Sequence, residues 1–160
     1  MAGITRALAL SLDLLILDEM TVWLDVSVQA RIILLLQDLQ RSMGATYVFI
    51  SNDLGPVRYF WNCMVVVYLG AVVEELRDPS SAPRHPYTAT LMNSTFAPDP
   101  RRRKDLVALE GEIPSPFNLP PGCAFAGRCP RALDCCRTEK PVLARALGQH
   151  SVACFDPVPA

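Results

Sequence analysis

Residues 26–43 read VSVQARIILLLQDLQRSM, in which Val28, Ile32, Leu35, Leu39 and Met43 recur at helical spacing while Arg31, Asp38 and Arg41 are left to face water. Short apolar runs flank this stretch at residues 14–17 (LLIL) and 46–50 (TYVFI), and a third follows at 64–69. None of the three alternates strictly, which is the pattern of strands covered on both faces. Strand, amphipathic helix and strand in that order admit few folds, because right-handed crossovers lay the helix on the sheet and run the strands parallel. The expected fold class is α/β with three parallel strands. Asp25 is placed to cap the helix and Gly44 to end it. A second helix is expected from Asp53 to about Trp61, with Gly55 and Pro56 in its first turn.

The later part of the chain has a different character. Every proline except Pro56 lies at or beyond Pro79, and every cysteine except Cys63 lies at or beyond Cys123. A boundary near residues 79–100 follows. Before it, Gly70 pivots an expected hairpin into residues 71–76; after it, the His85-Pro86 step starts a short helix over residues 86–92, and the remainder is loop-rich.

With 51% hydrophobic residues and a net charge of -1, the chain is neither disordered nor built as a nucleic-acid surface. The basic run Arg101 to Lys104 reads as a solvated hinge. The longest uncharged apolar run, residues 63–73, falls short of the ~18 residues a membrane helix needs. The opening MAGITRALALSLDLLIL imitates a signal peptide, but Asp13 interrupts it and no small-residue cleavage pattern follows.

Polar residues at the carboxyl ends of parallel strands share one crevice, and here those residues are Asp18, Glu19 and Ser51-Asn52-Asp53. An apolar strand ending in Asp-Glu suits phosphate chemistry: one carboxylate holds Mg2+ through its water shell while the next orients or deprotonates a water. Acidic residues also end strands for purely structural reasons. In the tail, Cys123, Cys129, Cys136 and Cys154 have the spacing C-x5-C-x6-C-x17-C, without the C-x2-C pairs of common zinc sites. Spacing alone leaves a metal site and disulfides both open. Cys135 is an ambiguous neighbour of Cys136, His150 reads as a surface histidine or a ligand or partner of that cluster, and Cys63 reads as a buried thiol at the head of a strand.

The stretch TRALALSLDLLILDEMTVWLDVSVQARIILLLQDLQRSMGATYVFISNDLGPVRYFWNCMVVVYLGAVVE closely resembles the second half of an ABC-transporter ATP-binding domain. The segments RHPYTATLM, IPSPFNLPPGCAFAGRCPRALDCCRTEKPVL and HSVAC resemble the C-terminal extension of dipeptide and oligopeptide importer ATPases. The resemblance implies a partial P-loop NTPase sheet over residues 1–78, a linker over 79–105 and the family extension over 106–160. It places Asp18 at the Mg2+ position of the Walker B strand and Glu19 at the catalytic-base position. Asp25 falls at the D-loop aspartate, a cofactor-binding position that in the family communicates across the dimer interface, and Asn52 where the family has the switch histidine. Met20 stands in place of a proline, and Val22-Trp23 in place of a small pair.

By the same resemblance, the cofactors are ATP and Mg2+, and Cys123, Cys129, Cys136 and Cys154 form a cluster for a [4Fe-4S] centre, with zinc as the alternative. The implied partners are a second ATP-binding subunit and inner-membrane permease subunits, with no nucleic acid, and the implied location is the cytoplasmic face of the membrane. No G-x-x-x-x-G-K-[ST] phosphate loop and no L-S-G-G-Q signature occur among the 160 residues. The sequence is therefore expected to be a C-terminal part, or a degenerate version, of such a subunit and to be inactive alone. A metal-binding module on an α/β scaffold and a nonfunctional gene product are the competing readings.

Overall fold

A computed structural model describes residues 12–20, 24–54, 61–94, 109, 111–145 and 150–159. The chain divides into two compact units, Met1–Phe60 and Trp61–Ala160. Each is built around its own apolar surface. The mixture of helices and sheets is α/β, as expected.

In the first unit, β1 (Leu14–Asp18) and β2 (Thr46–Ile50) pair in parallel, from Leu14 opposite Thr46 to Asp18 opposite Ile50, and α1 (Val26–Met43) connects them. Asp25 sits in extended backbone and its carboxylate accepts from the Val28 N–H at 3.0 Å. Gly44 ends the helix in the left-handed region, at φ 68°, and donates its N–H to the Gln40 carbonyl at 2.9 Å. Both ends of the helix are thus set by the residues expected from the sequence. Leu15 and Leu17 of β1 pack with Ile32 and Leu36 of α1, and Met20, Leu24, Val28, Tyr47 and Phe49 extend that cluster. Leu36→Ala, at a fully buried position, is expected to lower the unfolding free energy by about 2–3 kcal/mol, read as a fall in the urea midpoint.

The opposite face of this two-stranded sheet is not covered. Leu14, Ile16, Val48 and Ile50 are 51%, 61%, 43% and 47% exposed, so strands that read as buried on both sides are buried on one. Leu54 is helical and buried, while the rest of the expected second helix, residues 55–60, lies outside the described residues, as do Val22 and Trp23.

The second unit holds a four-stranded sheet in the order β3-β4-β6-β5, with β3 Met64–Tyr68, β4 Ala71–Leu76, β5 Ala144–Arg145 and β6 Ser151–Val152. The run at 64–69 is therefore not a third parallel strand. Leu69 and Gly70, at φ 46° and 81°, form a two-residue turn with both centres left-handed, and such a turn returns the chain directly alongside itself. β3 and β4 pair antiparallel as a result.

Register slips between Val66 and Val67, so that β4 carries one extra residue, Val73, between Val72 and Glu74. Both Val73 and Glu74 are consequently buried. Helix α2 (Pro86–Asn93) starts at His85, whose Nδ1 accepts from the Tyr87 N–H at 3.1 Å. The rings of Tyr68, Tyr87 and Phe125 meet at centroid distances of 4.7, 5.3 and 5.5 Å and seal the core of this unit. A 3-10 turn (Ala126–Arg128) and a one-turn helix α3 (Cys135–Thr138) shape the tail. Among the described residues, no helix is long and apolar enough to cross a membrane.

Candidate functional site

The first unit gathers its polar residues at the carboxyl ends of β1 and β2. Glu19, directly after β1, adopts φ 44°, a left-handed conformation that costs a non-glycine residue about 1 kcal/mol. Its N–H donates to the Ile50 carbonyl at 3.0 Å, which holds the strained residue against the end of β2. From that position its carboxylate accepts a 2.7 Å hydrogen bond from the Asn52 Nδ2, 33 residues away. Asp18 stands one residue back, exposed to solvent.

Asp25 is engaged differently from these. The Ser27 hydroxyl, donating at 2.6 Å, and the Val28 N–H hold its carboxyl below the usual carboxylate range. Glu19 and Asn52 are therefore brought together, whereas Asp25 is occupied as a helix cap. Met20 packs its side chain against the Leu15–Leu36 cluster.

In the second unit, one small pocket is lined by Cys123, Cys129, Cys136 and Cys154 together with His85 and Arg131. Gly122 makes the convergence possible: a Cβ there would lie 2.3 Å from the Cys136 carbonyl oxygen. Without one, the Cys123 N–H donates to that same oxygen at 2.8 Å and sets the two cysteines side by side. The Leu133 N–H donates to the Cys136 sulfur at 3.4 Å, and the backbone amides of Phe125 and Ala126 near Cys123, of Arg131 near Cys129 and of Asp156 near Cys154 act to lower those thiols.

Burial outweighs these donors. It pushes the Cys123 and Cys129 thiols up and carries Cys154 to about 11, and the neighbouring thiols raise each of them further. At neutral pH Cys123, Cys129 and Cys154 are protonated thiols, so a metal that they ligate must displace their protons. Among the described residues, no three His, Cys, Asp or Glu side chains stand close enough to hold a metal ion as they are. The donor set is that of a thiolate site, and ligation requires it to draw in. Cys135, half-buried, does not line the pocket, and Cys63 is exposed rather than buried because it precedes β3 at the edge of the sheet.

A third group was not legible as a site. Glu74 is fully buried on β4, and its Oε1 accepts from the Arg84 N–H at 2.6 Å and from His150 Nε2 at 2.6 Å, while its Oε2 accepts from the His85 N–H at 3.1 Å. The chain has two histidines, and both meet this carboxylate. His150 is 7% exposed, which overturns its reading as a surface residue. One available sequence signal was that Glu74 shares strand parity with the apolar Leu76, opposite the alternating Met64, Val66 and Tyr68.

His85 is 1% exposed, and burial lowers it from 6.5 to about 4 although the Glu74 carboxylate pulls the other way. The unfolded chain therefore takes up a proton near 6.5 that the folded chain refuses until about 4. Stability is complete above that range and declines by up to about 3 kcal/mol as the pH falls through it. Urea midpoints across this interval should show the decline, and His85→Asn, which keeps a capping side chain, should flatten it.

Residues 75–136 match the family of the oligopeptide/dipeptide transporter, C-terminal region. The chain is 49% identical, over 99% of its length, to a probable peptide ABC transporter ATP-binding protein of Sinorhizobium fredii, covering 45% of that protein. It is 44% identical, over 96% of its length, to a putative peptide import ATP-binding protein of Brucella ovis, covering 49% of it. It is likewise 44% identical, over 98% of its length, to the oligopeptide transport ATP-binding protein OppF of Escherichia coli K12, covering 48%. The chain spans about half the length of these relatives. Along nearly its whole length the chain is thus similar to peptide ABC transporter ATP-binding proteins, and over residues 75–136 it is similar to the C-terminal region of the oligopeptide/dipeptide transporter family.

Proposed function

We propose that this chain supplies the catalytic edge of the ATP-binding subunit of a peptide importer. The observation that carries the reading is the Glu19–Asn52 hydrogen bond of 2.7 Å at the carboxyl ends of two parallel strands. Asp18 would hold Mg2+ through its water shell, since an exposed carboxylate suits a hard cation that keeps its waters. Glu19 would orient and deprotonate the attacking water, with Asn52 fixing its carboxylate in one direction. Residues 1–78 form this edge, residues 79–105 link it to the extension, and residues 106–160 carry the thiol pocket.

The working partners are a second ATP-binding subunit, reached near Asp25, and the permease, which would hold the complex at the cytoplasmic face of the membrane. In the tail, Cys123, Cys129, Cys136 and Cys154 take a [4Fe-4S] centre in preference to zinc, supported by a donor set of thiols that line one pocket and by the Leu133 N–H on the Cys136 sulfur. When bound, such a centre supplies a rigid cross-link between tail segments. Anaerobic purification with about four irons per chain supports it, and stoichiometric zinc without iron contradicts it.

The edge cannot act alone. The 160 residues contain no phosphate loop, and without that nest of N–H groups and its lysine the triphosphate has no grip. The purified polypeptide is therefore expected to release no phosphate from Mg-ATP above background. Turnover that disappears in Glu19→Gln would contradict this division of labour.

A further inference from the structure

We propose that Glu74, acting through His150, is the positioning residue of the thiol pocket: it fixes the strand that brings Cys154 to Cys123, Cys129 and Cys136. Cys154 follows β6, and β6 is short, two residues long. A strand of that length is held weakly by its own ladder. Further ties act on it and on the residues beside it, including the Val158 N–H to the Arg84 carbonyl at 2.7 Å, and three of them lie nearest Cys154. The Ala153 N–H donates to the Val73 carbonyl at 2.9 Å. Beyond Cys154, Arg131 pairs with Asp156 at 2.8 Å, but both side chains are more than a third exposed, and an exposed pair of this kind contributes little. Before Cys154, His150 meets Glu74 at 2.6 Å with both groups buried, where a charge-assisted hydrogen bond is strong and its loss leaves an uncompensated acceptor.

The same carboxylate holds the His85 N–H at 3.1 Å and the Arg84 N–H at 2.6 Å, so one side chain fixes both the entry to α2, which lines the pocket through His85, and the strand that leads to Cys154. The bulge at Val73 is what turns Glu74 inward to do this. Glu74 touches no sulfur. Its effect on the pocket runs through His150 and β6.

This proposal rests on the metal-site reading only for its second measurement. In the first, iodoacetamide alkylation of each cysteine is followed by mass spectrometry on the whole chain, freed of metal under reducing conditions. His150→Ala is expected to speed alkylation of Cys154 about tenfold or more while Cys123, Cys129 and Cys136 keep their rates. His150→Gln, whose Nε2 reaches the same place, should restore protection, and Asp156→Ala should leave it nearly unchanged. Unaltered Cys154 protection in His150→Ala overturns the proposal. Equal acceleration of all four thiols also overturns it, since that is a general loss of fold.

The second measurement titrates the same proteins with Co2+ and reads the thiolate-to-cobalt absorption band. Tight binding by the parent chain, weakened about tenfold or more in His150→Ala and recovered in His150→Gln, supports both readings. Equal binding by parent and His150→Ala contradicts the positioning role alone. No binding by the parent contradicts the metal site alone, and the alkylation pattern then decides the positioning role.

Discussion

Glu74→Ala is expected to lower the unfolding free energy of the second unit by about 4 kcal/mol, more than any surface substitution in that unit. Its carboxylate accepts three hydrogen bonds, from the Arg84 and His85 N–H groups and from His150, and alanine leaves all three donors without an acceptor in a region sealed from water. Each orphaned buried donor costs about 1–3 kcal/mol, and the cavity left by the side chain adds to that. Glu74→Gln should fall between alanine and the parent. It keeps one oxygen, enough for the Arg84 and His150 contacts, but sets its amide N–H against the His85 N–H. The neighbouring Glu75 pairs with Arg77 at 2.7 Å near the surface, and its replacement should cost well under half as much. Urea midpoints of the three variants, measured together, check the ranking.

The local signals in the sequence translated directly into structure. Asp25 and Gly44 bound α1 because capping depends on one side chain and one backbone angle, both local properties. The hairpin at Leu69-Gly70 and the helix start at His85-Pro86 are of the same kind. What could not be read was set at a distance. The strand at 64–68 looked like a buried parallel strand because its composition is the same whichever way its partner runs; the turn decides the direction. Glu74 was hidden because a bulge changes which residues of β4 face inward, and because its partner His150 lies 76 residues away. The same separation made His150 look exposed, since a lone histidine in a loop-rich tail gives no local indication of burial.

The Glu19–Asn52 contact was legible for the opposite reason. Two strand ends in parallel register place their next residues together, so Glu19 and Asn52 could be expected to share a crevice, and they meet at 2.7 Å. What the sequence did not contain was the direction of the contact. Asn52 spends one of its two amide N–H donors on Glu19, so in this arrangement the side chain steadies the carboxylate.

That geometry determines the second large effect, in a chimaera that joins this chain to the unaligned remainder of the Sinorhizobium fredii relative. There, Asn52→His is expected to raise the rate of ATP turnover about tenfold or more, because an imidazolium is longer and donates from both ring nitrogens, one to Glu19 and the other to the phosphate. Loss of the Glu19 carboxylate acts in the other direction. Without an acceptor for the water proton, turnover should fall by about 10²- to 10⁴-fold, the usual contribution of a positioned general base.

Whether Glu19 supplies the base of a peptide importer's ATP site is decided by the Mg-dependent rate of phosphate release by the chimaera, with and without Glu19→Gln. Turnover is expected from the parent chimaera, with a loss of about 10²-fold or more in the variant while nucleotide stays bound. Equal rates in the two proteins would contradict that role for Glu19.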